Sequence, residues 1–330
     1  METKTVMQET TTEQAAIAPA PVAKEPTLRL EREELREGWA ELGRTPRTLA
    51  TLKLGAKTDL GRVRENNEDK FDFYEPEDPA VLATKGCFYA VADGMGGHSA
   101  GQIACEMALK TVIQAYYASP SADVEGSLRH AIEEANSVVY ETAQAVAERQ
   151  GMGTTLTAIV VREDQMTVAQ VGDSRAYLLR TGKLDQITDD HSWVAEQVRL
   201  GIMTQEEALS SPFRNIITRS VGTAQTVEPD ILTQSLQAGD TLLICSDGLS
   251  GYLEPPELAE IIGGHSPSVA AMHLVDEANR LGGRDNITAL VLAVRALTPL
   301  SAPATGEEAI DSPAEEIGGR PEKRGWGRRK

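Results

Sequence analysis

Four short β-rich runs follow one another in "GTTLTAIVV", "QMTVAQVG", "SRAYLLR" and "KLDQIT", parted only by Glu-Asp, Gly-Asp and Thr-Gly turns. Connections that short join antiparallel neighbours and leave no room for a crossover helix. The runs predict an antiparallel meander. Helical stretches at about 99–118 and 123–148 precede it, and "DTLLICSDG" and "NITALVLAV" read as buried strands on either side of the helical "PSVAAMHLVDEANRLGG". Hairpin strands with paired helices predict an α+β layered domain rather than a βαβ winding. No internal repeat is visible.

Composition bounds what such a domain can do. The 330 residues, 41% hydrophobic, suffice for a sizeable core, and the formal charge of -18 argues against nucleic-acid binding, which needs basic surface to neutralise phosphates. An acidic chain suits cations better. Cys87, Cys105 and Cys245 lie singly inside apolar segments, without CxxC or zinc-like spacing, and read as free buried thiols of a reducing compartment. No run approaches the roughly 18 apolar residues of a membrane helix, and the N-terminus lacks an apolar signal core, so a soluble, cytoplasmic protein is expected.

Composition also divides the chain. Residues 1–27 and 298–330, rich in Pro, Ala, Glu and Ser or Thr without periodicity, read as disordered tails. Residues 28–49 carry a short helix, with Leu28, Leu35, Trp39 and Leu42 near one stripe, and a linker; the domain itself is expected over 50–297. The basic end "RPEKRGWGRRK", around Trp326, reads as part of a solubilising tail.

One stretch concentrates the chemistry. In "FYAVADGMGGHSAGQIACEMALKTV", Phe88, Ala90 and Ala92 alternate with Tyr89 and Val91 as a buried strand, and Ile103, Met107 and Val112 follow at helical spacing. Asp93 therefore sits at a strand-to-helix corner, where a carboxylate costs desolvation unless a positive group meets it. Glycines beside it let backbone approach closely. Asp69, Asp173, Asp247 and Asp285 also stand at element ends. Each alone is ordinary turn chemistry. Five together point to a carboxylate centre for hard divalent cations, Mg²⁺ or Mn²⁺, which could activate water and clamp a phosphoryl group.

"RENNED", "ADGMGGHSAG", "GMGTTLTA", "VGDSRAYLLR", "DHSWVAEQVRLGIMTQEEA", "FRNIITRSVG", "LLICSDGLSGYL" and "GRDNITALVL" occur in this order. In these motifs the chain resembles the bacterial metal-dependent serine/threonine phosphatases of the PPM family (protein phosphatase type 2C), over roughly residues 52–296. The resemblance implies a four-layer αββα sandwich, two central antiparallel sheets flanked by helix pairs, with metals at one end. It further implies that Asp93 bridges two metals, that the Gly94 carbonyl ligates one of them, and that Asp247 and Asp285 complete the first site. Glu68 and Asp69 would hold metal-bound waters, and Asp173 a weaker third ion.

By the same resemblance, Arg64 grips the substrate phosphate and His98 is the general acid that protonates the leaving alkoxide. The reaction implied is direct attack of a dimetal-activated water on the phosphorus of phosphoserine or phosphothreonine, with Mn²⁺ or Mg²⁺ required. Phosphorylated proteins and cognate serine/threonine kinases would be the partners of a bacterial, monomeric enzyme, without nucleic acid or stable membrane insertion. Rival readings are a pseudophosphatase that only binds phosphoproteins, a phosphatase dedicated to an anti-sigma-factor antagonist, and a small-molecule phosphohydrolase. Residues 192–221 match the family's flap; Arg214 and Arg219 there read as solvated or locally paired, His191 as ordering the flap's start, and Asn286 as supporting the loop of Asp285. "GMGTT" lacks a P-loop lysine and reads as a strand-entry turn.

Overall fold

The computed structural model describes residues 48–96 and 99–300. The 1–27 tail, the Leu28–Leu42 stripe, the Trp326 cluster and His98 lie outside the described residues. β1 (Thr48–Asp59) and β12 (Ile287–Pro299) run antiparallel along their whole length, Thr48 opposite Pro299 and Asp59 opposite Ile287, so these strands reach slightly past the 50–297 limits.

Period-2 alternation builds the layers. In β3 (Cys87–Ala92), Phe88, Ala90 and Ala92 pack with the buried stripes of helices α2 (Ala100–Ala118) and α3 (Val124–Ala145), including Cys105, Leu109, Leu128 and Ile132. Tyr89 and Val91 point the other way, toward Leu242, Ile244, Leu290 and Leu292 of the facing sheet. That facing sheet, in turn, sends Leu243, Cys245, Ala289 and Val291 against Leu258, Leu274 and Val275 of helices α7 (Pro255–Gly264) and α8 (Pro267–Arg280). Three apolar clusters separate four layers, helix pair, sheet, sheet, helix pair, as the αββα expectation requires. No helix among the described residues is long and apolar enough to cross a membrane.

The sheets depart from the expected meander. One orders β10 (Asp230–Ser235), β7 (Gln165–Val171), β6 (Leu156–Arg162), β3 and β2 (Lys70–Tyr74); the other orders β1, β12, β11 (Thr241–Cys245), β8 (Arg175–Arg180) and β9 (Lys183–Gln186). β6–β7 and β8–β9 are hairpins, as read, but they belong to different sheets. The Gly172-Asp173-Ser174 turn does not close a hairpin: it carries the chain from one sheet to the other, with Gly172 at φ +106. A local turn signal sets the reversal but not the partner, which is chosen by which face the following strand buries.

Between β9 and β10 the chain forms two short helices, α4 (Trp193–Arg199) and α5 (Gln205–Ser210), the latter held by a Thr204/Glu207 capping box. A short helix α1 (Pro79–Lys85), capped by Asp78, covers the β2–β3 connection, and the turn-length helix α6 (Asp247–Ser250) follows β11. A 3-10 turn at Ala147–Arg149 and the two-stranded ladder of β4 (Gly94–Met95) with β5 (Gly153–Thr154) complete the elements.

Candidate metal centre

As Asp93 leaves β3, its backbone is anchored on both sides. Its N–H donates to Thr155 Oγ1 at 2.9 Å, and its carbonyl accepts from Thr155 N–H at 2.8 Å and Thr154 Oγ1 at 3.0 Å. The side chain faces the other acids, Asp247 among them. Gly94 pairs with Thr154, and a Cβ there would lie 2.4 Å from Gly101 O and 2.9 Å from Glu68 O. The glycine after the aspartate is thus needed so that the first turn of α2 and the Glu68 backbone can close on the corner. Thr155 Oγ1 lies 2.8 Å from Ser174 Oγ, joining this corner to the one that carries Asp173.

A second set of hydrogen bonds assembles the remaining acids. Asp69 is fully buried; its Oδ2 accepts from Ser246 Oγ at 2.6 Å, and that hydroxyl accepts from Thr288 N–H at 3.0 Å. Ser246 immediately precedes Asp247, so the loop after β1 and the end of β11 are locked together. Asn286 spans the same gap: its Oδ1 accepts from Glu68 N–H at 2.8 Å, while its Nδ2 donates to Leu60 O at 3.0 Å and Asn66 O at 2.9 Å. It supports the loop of Asp285, as expected, and also anchors the loop carrying Arg64, Glu68 and Asp69. A Cβ on Gly248 would stand 1.9 Å from Asn286 O, so only glycine lets α6 seat against this loop.

Electrostatics describe a crowded centre. Burial, then repulsion from Asp69, Asp247, Asp173 and Asp285, pushes the Asp93 carboxyl well above the ordinary range. Asp69 rises to about 7 through burial and its neighbours Asp247 and Asp285, opposed by the Ser246 hydroxyl. Asp173 also rises to about 7, from burial and then Asp247 and Asp190. Asp247 is raised by burial and Asp285, offset in part by a hydrogen bond with Asp93 and by Arg64 and Arg175. Such mutual elevation means that these acids face one another.

Of the non-acidic candidates, Arg64 is placed and His98 is not. Arg64 Nη2 donates to Asp285 Oδ2 at 2.7 Å, with both side chains partly exposed. The arginine read as a phosphate ligand is here a counter-ion of an acid read as a metal ligand. Arg219 is locally paired, donating to Asp230 Oδ1 and Glu228 O, while Arg214 is exposed.

Among the described residues no three His, Cys, Asp or Glu side chains already stand in a geometry that would hold an ion. The chemistry of the set fits one nonetheless. Every donor is oxygen, Asp69 Oδ1 and Asp173 Oδ1 are buried without a hydrogen-bond partner, and four carboxyls are destabilised by burial and then by their acidic neighbours. A hard cation would suit those oxygens and relieve both the unpartnered atoms and the crowded charge.

The sequence profile of the family described as Protein phosphatase 2C matches residues 56–287, a span running from the middle of β1 into β12 and containing every candidate acid. The chain belongs to the protein phosphatase 2C family. As a member of that family it is 39% identical over 243 residues to the serine/threonine phosphatase stp of Listeria monocytogenes, covering 72% of this chain and 93% of the relative. Its fold matches that of the Streptococcus agalactiae serine/threonine phosphatase with a TM-score of 0.68 at 35% identity, over 74% of this chain and 100% of the other. A second structure, the catalytic domain of the serine threonine protein phosphatase PstP in complex with two manganese ions, matches with a TM-score of 0.65 at 33% identity, over 76% of this chain and 100% of that one.

Sequence reasoning missed the residues that hold the acids in place. The sequence assigned no role to Ser246 and Ser174, and placed Thr154 and Thr155 only in the strand-entry turn "GMGTT". The signal was adjacency: each lies within one or two residues of a candidate acid or bonds its backbone.

Proposed function

We propose that this chain is a metal-dependent phosphoserine/phosphothreonine protein phosphatase. The observation that carries the reading is the set of four buried, mutually destabilised carboxyls delivered by separate elements to one end of the sandwich. Asp93, Asp247 and Asp285, with the Gly94 carbonyl, would hold two Mn²⁺ or Mg²⁺ ions; Glu68 and Asp69 would orient water around them, and Asp173 would serve a weaker third site. Ions held there would supply a lowered pKa for bound water and charge stabilisation for phosphoryl oxygens.

The chain's own residues supply the rest. Arg64 stands at the rim, partly exposed, and its planar guanidinium suits two phosphate oxygens once it leaves Asp285. His98, by the resemblance stated above, donates the proton that makes serine or threonine a viable leaving group. The Thr154/Thr155 and Ser246/Asn286 hydrogen bonds keep Asp93, Asp69 and Asp285 in a fixed relation, so little reorganisation accompanies the reaction. Substrates would be phosphorylated proteins, including serine/threonine kinases, met by a monomer.

The test is phosphate release from a phosphothreonine peptide with Mn²⁺, with Mg²⁺ and with EDTA, beside Asp247→Asn. Turnover that depends on metal and is lost in the variant is expected. A folded, metal-loaded protein that releases no phosphate would overturn the reading.

A further inference from the structure

The segment from Ser192 to Val221 closes on itself at a narrow neck. Ser192 bridges Ile217, Trp193 N–H donates to Ile216 O at 2.8 Å, and Thr218 N–H donates to His191 O at 2.8 Å. His191 stands at the base of this neck, 3% exposed. Its N–H donates to Gly172 O at 2.9 Å, and Gly172 N–H donates back to the ring Nδ1 at 3.1 Å. The ring Nε2 lies 3.0 Å from Asp230 Oδ2, and Asp230 in turn accepts from Arg219. All four hydrogen-bonding groups of one buried residue are used, on three separate pieces of chain.

Those pieces are informative. Gly172, at φ +106, opens the crossing between the sheets and directly precedes Asp173, whose Oδ1 is buried without a partner. Gln170 Nε2 holds the same crossing from the other side, donating to Gly172 O at 2.8 Å and Ser174 O at 2.7 Å. Arg219 and Asp230 flank the stretch where the segment returns to β10. Proton accounting fixes the ring: Nδ1 accepts from an amide, so it carries no proton, and Nε2 must carry it to reach the carboxylate. A histidine that only fills space needs no fixed tautomer and no partner at each nitrogen.

We infer that His191 is a positioning residue that holds the Asp173 corner and the neck of the 192–221 segment in one fixed relation. The inference rests on the phosphatase reading for the importance of Asp173, but its geometry stands apart from that reading. Its two ring contacts can be cut separately. Asn places a carboxamide oxygen near Nδ1 and keeps the Gly172 contact; Gln places an amide N–H near Nε2 and keeps the Asp230 contact.

Three measurements on the full chain test this. In ¹⁵N spectra near neutral pH, the His191 ring of the wild type should be neutral with the proton on Nε2. In titrations with Mn²⁺ alone, His191→Gln should lose the weakest ion while His191→Asn keeps it. On a phosphothreonine peptide, His191→Gln should lose about 10- to 100-fold in kcat with little change in KM, as for residues that orient a ligand. His191→Asn should keep kcat and raise KM, since only the neck is loosened. The opposite tautomer, or two variants indistinguishable in Mn²⁺ binding, would overturn the inference. If the Gln variant fails to fold, the wild-type spectrum and the Asn variant still decide. A wild type that releases no phosphate would sink the phosphatase reading alone, because the spectrum and the Mn²⁺ titrations do not depend on turnover.

Discussion

At the scale of single residues, the centre sets opposite demands on the same atoms. Asp247 is raised by burial and by Asp285, so its negative charge works against the metal-free fold while being suited to a cation. Replacing Asp247 with Asn should therefore raise the melting temperature of the chelated protein, measured calorimetrically, while lowering metal-dependent turnover by ~100-fold or more, beyond the loss typical of a residue that only supports a ligand. Arg64 makes a similar exchange. Its guanidinium is held on Asp285 at 2.7 Å and its own pKa is raised first by that bond. Arg64→Gln should release Asp285 and remove a positive charge from beside the acids, so Mn²⁺ should bind about three- to tenfold more tightly by calorimetry. The same variant should bind phosphopeptide more weakly, with a higher KM. A simple loss of both affinities would show that Arg64 supports the loop rather than competing with the ion.

At the scale of elements, close backbone approach decides the site. α6 is only one turn long, and it reaches the Asp285 loop because Gly248 has no side chain: a Cβ would lie 1.9 Å from Asn286 O. Gly248→Ala must push the two segments apart, and a cost of ~1–3 kcal/mol is expected in urea unfolding. Because Asn286 also holds Glu68 N–H and the 60–66 loop, Mn²⁺ affinity should fall in the same variant. Unchanged affinity would mean that the loop adapts without moving its acids. The hairpins tell a related story. β6–β7 and β8–β9 were legible as runs and turns, yet Gly-Asp between β7 and β8 is a crossing between sheets rather than a third hairpin. That crossing is what points Asp173 toward the centre. α7, in "EPPELAEIIGG", and α1 went unread because each is short and begins at a proline that also fits a loop.

At the scale of the whole molecule, the buried acids make stability depend on pH. Asp69 and Asp173 rise from 3.8 to about 7 on folding, chiefly by burial. Between those values the native chain binds more protons than the unfolded one, so their contribution to stability is full below pH 3.8 and is lost as pH rises through about 7. Scanning calorimetry in EDTA should show the melting temperature declining across that window. Saturating Mn²⁺ should remove the decline, because the ion replaces the proton as the neutralising charge and stabilises by its binding to the native state. A flat profile in EDTA would mean that the acids are already neutralised in some other way.

Much of this protein was legible before folding. Alternation in Phe88–Ala92 named both the strand and its two buried faces, and the acids at strand ends marked the centre, because desolvation makes an unpaired carboxylate beside an apolar run costly. Both signals are local, and local chemistry survives in one dimension. What only the tertiary structure decided is which pieces meet: Asp69 with Ser246, Arg64 with Asp285, and His191 with Gly172 and Asp230. Two of these pairings span more than 170 residues of chain. They are settled by which strand faces bury together, a choice the sandwich makes as a whole and no single turn or spacing records.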